Sequence, residues 1–258
     1  RLRSSDDFDV PVRLAPTRSV VALAVTVVLL AAGAVWSFAG SLPRTMRAPG
    51  VLTHTDGSFF LHSPVPGRIE RVDVVEGVLF PKGTVLFTVR NDTGEHPVRS
   101  AVAGRVTSLL AATGATVTPK DELAVVERVA GAGDPLIAVV YVPAPDAVHI
   151  HPGTAADLEV ETVSAQRYGV LRGTVVSVGR FPQTPEQITA FLADPLLGRE
   201  LTAQGEPVAV TVRLAPAPTA SGFRWSTGEG PPYRIDSRLV AAVDLHLPPV
   251  RPITWMVS

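Results

Sequence analysis

Hydrophobic and polar positions divide the chain into two regimes. From Ser19 to Leu42 none of the 24 residues is charged. At about 1.5 Å rise per residue such a stretch spans roughly 36 Å, enough to cross a hydrocarbon core of roughly 30 Å. Backbone groups in lipid must pair internally, so the pattern predicts a transmembrane helix. Trp36 and Phe38 stand near its end, where an aromatic belt is expected. Thr26 and the run Ala31-Ala32-Gly33-Ala34 suit close approach of another helix or packing against lipid equally well. A cleaved signal peptide is the competing reading: Ala39-Gly40-Ser41 suits a cleavage site, although a signal's apolar core is normally about 7–15 residues. Arg1, Arg3, Arg13 and Arg18 precede the segment and Arg44 and Arg47 follow it, which favours a cytoplasmic N-terminus and an extracytoplasmic bulk.

Beyond the apolar segment the period changes to two, and the chain repeats itself. Ser63-Pro64-Val65-Pro66-Gly67-Arg68-Ile69, Glu76-Gly77 and Pro81-Lys82 recur as Ser100-Ala101-Val102-Ala103-Gly104-Arg105-Val106, Thr113-Gly114 and Pro119-Lys120. Each copy alternates apolar residues and ends in an apolar run, Val85-Leu86-Phe87 or Leu123-Ala124-Val125-Val126. These are short strands punctuated by glycine turns. One copy has too little core to stand alone, so the two are expected to form a single β-sandwich.

After Ala130–Asp134, a soft linker, strand signals resume. Pro135–Val142 reads as a buried strand, Pro143–Ile150 as a helical turn, and Ala155–Val163 as an alternating strand. Gly169–Val178 reads as a strand pair and Val208–Leu214 as a strand. Thr219–Pro232 reads as a polar hairpin carrying Phe223 and Trp225, and Leu239–Leu247 and Pro252–Val257 close the pattern. Pro185–Leu197 predicts a helix with Thr184 as its N-cap. Six or so strands with one helix suggest a small β-barrel.

Composition removes whole classes of function. Twenty-four prolines and 21 glycines exclude a long helical bundle. The absence of cysteine excludes disulfide frameworks, thiol nucleophiles, thiolate zinc sites and iron–sulfur clusters. A net charge of −1 leaves no global basic field for nucleic acid. There is no G-x-S-x-G elbow and no Gly-rich phosphate loop, so neither hydrolysis nor nucleotide binding by those motifs is indicated. His149 and His151 share a face if extended, but no third ligand is near in sequence and Pro152-Gly153 follows, so turn residues are the expectation. Asp6-Asp7-Phe8-Asp9 reads as a solvated patch, with a docking contact to a transporter's cytoplasmic part as the alternative. No catalytic residue, cofactor or metal is expected.

The repeat resembles the flattened lipoyl/biotinyl-like sandwich. In carriers of that fold a lysine at the bend between the halves bears the cofactor; here Arg90–Pro97 contains none, so no acyl-carrier role is implied. The order of anchor, sandwich and barrel resembles membrane fusion proteins of the HlyD type over nearly the whole chain. Many relatives carry a long α-helical hairpin between the halves, whereas the gap from Val89 to Ser100 holds ten residues, enough only for a turn. Arg167–Gly173, Val176-Ser177-Val178, Phe181–Glu186, Ser221–Ser226, Gly230-Pro231-Pro232 and Arg251-Pro252-Ile253 resemble the secretion protein of NHLM (NHLP) bacteriocin export systems.

These resemblances imply a mainly β protein with one N-terminal transmembrane helix, a lipoyl-like barrel-sandwich hybrid and a small β-barrel. The expected boundaries are a tail at 1–18, the helix at 19–42, the sandwich at 43–130 and the barrel at 131–258, with one helix near 185–197. They imply a non-catalytic adaptor in the plasma membrane, partnered with an ATP-hydrolysing ABC exporter of leader-bearing peptides and self-associating beside membrane lipid. The alternative is a membrane-anchored binding module outside any transporter. Candidate interface residues are Pro66, Gly67, Ala103 and Gly104 at the sandwich tips, and Phe223 and Trp225, for which packing on the barrel wall is the competing role.

Overall fold

The computed structural model describes residues 17–39, 42–131 and 133–250. The tail motif at 6–9, the cleavage-like Gly40-Ser41 and the closing strand at 252–257 lie outside them. The apolar segment forms helix α1 (Thr17–Ala39), in which Thr26 Oγ1 donates to the Ala22 carbonyl at 2.9 Å. Val21, Leu23, Val25 and Val27 to Leu30 are each more than half exposed. Among the described residues no helix is long and apolar enough to cross a membrane.

Strand β1 (Leu42–His54) leads into the duplicated region. The first copy supplies β2 (Ser58–His62), β3 (Gly67–Val72), β4 (Leu79–Phe80) and β5 (Val85–Asn91); the second supplies β6 (Gly94–Arg99), β7 (Gly104–Leu109), β8 (Thr116–Val117) and β9 (Glu122–Arg128). They form two four-stranded sheets, ordered β2-β9-β7-β4 and β6-β5-β3-β8. The copies exchange strands: β4 pairs with β7, and β8 with β3. Gly77 N–H donates to Val106 O at 2.8 Å, and Gly114 N–H to Ile69 O at 2.7 Å. Neither copy satisfies its own backbone, and this is why the repeat folds only as a pair. The core between the sheets is built from Ile69, Leu86, Phe87 and Val89 of one copy and Val106, Leu123 and Val126 of the other.

One residue offset, 37, relates Ser63 to Ser100, Gly67 to Gly104 and Gly77 to Gly114. Both β3 and β7 carry a bulge at matching positions, between Ile69 and Arg71 and between Val106 and Ser108. By the same offset Lys120 (φ +79°) occupies the place of Gly83 (φ +87°), not of Lys82. The motif match of Pro81-Lys82 with Pro119-Lys120 is therefore one residue out of structural register. The left-handed turn fixes the true correspondence, and a lysine is held where glycine is the easier residue.

The barrel is closed, in the order β1-β10-β13-β12-β11-β14. Its remaining elements are β10 (Leu136–Pro143), helical turn α2 (Ala144–Ala147), β11 (Ala155–Val160), turn α3 (Ala165–Tyr168), β12 (Leu171–Pro182), helices α4 (Pro185–Leu192) and α5 (Pro195–Leu201), β13 (Pro207–Leu214) and β14 (Val240–Val250). Its first strand is β1, which lies upstream of the repeat and pairs with β10 from Gly50↔Val140 to His54↔Leu136. The sandwich is thus inserted between two neighbouring barrel strands, and its own strands begin at Ser58. Gly169–Val178 supplies one bulged strand, not a pair.

Leu52, Val140, Leu158, Leu171, Val210, Val243 and Leu245 fill the barrel. Ile137, Val139 and Tyr141 of β10 face outward beneath Ile188 and Leu192 of α4. Both faces of β10 are covered, and this explains its unbroken apolar run. The Tyr141 hydroxyl is buried without a hydrogen-bond partner, and burial raises its pKa. The helix expected at 185–197 is two helices. Thr184 and Gln187 form a capping box that starts α4. Ala193 turns left-handed at φ +50°, and Asp194 Oδ1 accepts from Leu196 N–H and Leu197 N–H at 3.1 Å each to start α5. Pro195 enforces the break, since the residue before proline avoids helical backbone.

Candidate functional site

Three residues, Thr55, Asp56 and Gly57, separate β1 of the barrel from β2 of the sandwich. Gly57 (φ +67°) closes this turn by donating to His54 O at 3.0 Å. Any Cβ at Gly57 would stand 2.5 Å from Phe191 O, so the end of α4 rests directly on the crossing. The chain returns through β9, and Glu127 near the end of that strand lies at the centre of the joint, fully buried.

Side chains from three elements meet Glu127. Arg105 Nε of β7 donates to Oε2 at 2.9 Å, and Ser237 Oγ, from the segment before β14, donates to the same oxygen at 2.7 Å. His54 Nδ1, at the end of β1, stands 2.9 Å from Oε1, yet neither atom has a hydrogen-bond partner of acceptable angle. Arg105 reaches on with its terminal nitrogens, to Asp236 Oδ1 and to Ser237 Oγ, each at 2.8 Å. Burial by itself raises the Glu127 carboxyl, but His54, Ser237 and Arg105 outweigh it and hold the pKa at about 2. The Arg105 guanidinium is lowered by burial and raised by Glu127 and Asp236, with a net rise.

A second tie lies alongside. Arg238, at φ +61°, donates its backbone N–H to Leu52 O at 2.7 Å, and its guanidinium reaches Leu192 O at 3.4 Å and Asp194 at 3.5 Å. The enclosed space beside it is about 30 Å³, room for a water molecule and not for an organic ligand.

The internal duplication supplies a control for this arrangement. Arg68 pairs with Arg90 in the first copy as Arg105 pairs with Glu127 in the second. Arg90 is exposed and bridges Glu70 and Glu95 at the surface. The same fold position is therefore a solvated cation at the hairpin end and a buried anion at the joint. Sequence reasoning passed over Glu127; the available signal was an acid directly following the apolar run Leu123–Val126 at the end of β9.

The six candidate contact residues separate. Pro66 is exposed at the hairpin end, where Asn91 Nδ2 donates to its carbonyl at 3.1 Å. A Cβ at Gly67 would meet Arg90 O at 2.5 Å, and one at Gly104 would meet Glu127 O at 2.2 Å. Gly67 and Gly104 therefore permit close strand approach at opposite ends of the sandwich, with Ala103 beside the joint. Trp225 is 2% exposed and donates from Nε1 to Ser221 Oγ at 2.9 Å, while Phe223 packs partly buried on the barrel core. The segment expected as a hairpin at 219–232 makes only isolated bridges, Leu171↔Trp225 and Pro216↔Phe223. His149 and His151 are exposed turn residues, and among the described residues no group of three or more His, Cys, Asp or Glu is placed to hold a metal ion.

No protein-family model and no curated protein sequence matches the chain. Solved structures do. ZneB from Cupriavidus metallidurans superposes with a TM-score of 0.53 at 14% identity, covering 80% of this chain and 100% of that one. MacA from Actinobacillus actinomycetemcomitans superposes with a TM-score of 0.53 at 10% identity, covering 82% and 81%. The periplasmic adaptor protein EmrA matches at a TM-score of 0.40 and 7% identity, over 80% of this chain and 99% of its own. ZneB and MacA establish the likeness, and at these identities it is a likeness of fold.

Proposed function

We propose that this chain is an adaptor, or membrane fusion, subunit of an ABC-type exporter of leader-bearing peptides, of the NHLM bacteriocin kind. The observation that carries the proposal is architectural: an interlocked lipoyl-like sandwich inserted into a six-stranded barrel, in the fold of ZneB and MacA. In this reading α1 is a single-pass anchor with its N-terminus in the cytoplasm, and its exposed apolar side chains face lipid. The sandwich and barrel lie outside the membrane and form a non-catalytic vestibule beside the transporter, self-associated into a collar.

Two features shape the role. The copies are joined by the tight turn at Asn91–Gly94, so this chain has no helical reach of its own towards a distant channel. Pro66, exposed beside that turn, is the proposed contact for a neighbouring subunit. Trp225 serves the barrel core instead of a partner. The test is affinity purification of the full chain from its native membrane in mild detergent. Stoichiometric recovery of an ATP-hydrolysing exporter is expected, and its consistent absence, with the adaptor intact, refutes the proposal.

A further inference from the structure

The duplication permits a second comparison, at the free edges of the two sheets. β4 ends one sheet and β8 the other, and the offset of 37 makes them equivalents. The loops before them share a backbone device, since Gly77 N–H and Gly114 N–H each donate to the opposite copy. Their side chains differ. Val75, Val78 and Leu79 of the first copy stand where the second has Ala112, Ala115 and Thr116. After β7 the difference runs the same way, for Leu110 stands where the first copy has Asp73. Glu76 Oε1 accepts from Leu109 N–H at 2.7 Å and so brings Leu110 beside the first loop. These four residues are 43% to 68% exposed, and among the described residues they are the sandwich's only exposed large hydrophobic side chains. The second copy closes over alanine and threonine at the equivalent loop, so packing does not require the valines and leucine of the first.

A free edge bearing apolar side chains is a template for an added strand, and proteins ordinarily guard against it. β6, an edge of the other sheet, carries Glu95, Pro97 and Arg99, and β2 lies against α4. Gly77 to Phe80 has neither charge nor proline. The exposed apolar surface is on the order of 300 Å², well short of the roughly 800 Å² per partner that a stable complex of folded proteins buries, and it suits a single strand. Glu76 and Lys82, both exposed, stand three residues to either side of Leu79. An antiparallel strand centred on Leu79 meets Lys82 at its start and Glu76 at its end. Its complement is an acid, then apolar residues, then a base. We propose that the β4 edge is a strand-addition site for an extended peptide of this pattern. The occupant is a segment of the exported peptide; that source rests on the exporter reading, whereas the site rests on the edge alone.

The full chain in mild detergent is titrated into a fluorescein-labelled probe, Glu-Val-Thr-Val-Thr-Val-Lys, and the anisotropy is followed. The expected result is saturable binding, weakened about tenfold or more in Leu79→Lys and unchanged in Thr116→Lys, the equivalent place on β8. Lys82→Glu should weaken this probe and prefer Lys-Val-Thr-Val-Thr-Val-Lys, in which the first charge is reversed. Circular dichroism checks each variant, and should Leu79→Lys not fold, Val78→Lys takes its place. Absence of binding by wild type, indifference to Leu79→Lys, or equal loss in Thr116→Lys overturns the proposal. So does a wild-type dimer in sedimentation that Leu79→Lys dissociates, because the occupant is then a second copy. Probe binding by a chain that recovers no exporter from its membrane supports the site and refutes only the exporter as the peptide's source. Recovery of the exporter without probe binding overturns the site and leaves the adaptor reading standing.

Discussion

Replacing Glu127 isolates the contribution of the joint. In Glu127→Ala the Arg105 guanidinium, whose side chain is 17% exposed, loses one of its two carboxylates, Ser237 loses its acceptor and His54 the carboxylate beside it. Removing one partner of a buried pair costs about 3–5 kcal/mol because the other is left uncompensated. The titration gives a separate measure. A carboxyl held at about 2 in place of the ordinary 4.5 contributes about 3 kcal/mol at neutral pH. Glu127→Gln, which keeps the volume and removes the charge, should therefore lose about 3 kcal/mol, and Glu127→Ala as much or more. The internal control is Arg90→Ala at the matching place in the first copy, where the side chain is 55% exposed; surface ion pairs are worth about 0–1 kcal/mol. Urea denaturation of the full chain followed by circular dichroism measures all three. If Glu127→Gln lies within about 1 kcal/mol of wild type, or Arg90→Ala costs as much as Glu127→Gln, the joint does not have the energetic role argued from its burial and partners.

The same carboxylate sets an acid response. Its folded pKa is lowered, so its stabilisation is complete above about 4.5 and is lost as the pH falls towards about 2; denaturation midpoints taken across that window should fall more steeply in wild type than in Glu127→Gln, and equal slopes would refute the assignment. Gly104→Ala places a Cβ 2.2 Å from Glu127 O and should cost about 1–3 kcal/mol by overpacking. Gly131→Ala, with nothing within 4 Å, should stay within about 0.5 kcal/mol of wild type, and the two glycines behaving alike in a denaturant titration would count against the close approach at Gly104.

The amino-acid sequence determined the features whose causes are local. The duplication, the glycine turns, the buried run of β10 and the cap at Thr184 were all legible, because period, left-handed backbone and capping depend on residues a few places apart. The Asn91–Gly94 turn was equally legible from the short gap between copies. The break at Asp194-Pro195 was written in the same sequence but hidden by apolar spacing that continues on either side of it. Tertiary structure alone decided what distant segments share. It put β1 into the barrel ahead of the sandwich, made each copy complete the other's sheets, and brought His54, Arg105, Glu127 and Ser237 onto one buried point. An acid in an apolar strand is tolerated only where packing supplies its partners, and the residues that do so here lie 22, 73 and 110 positions away, separations at which no pattern along the chain specifies a contact.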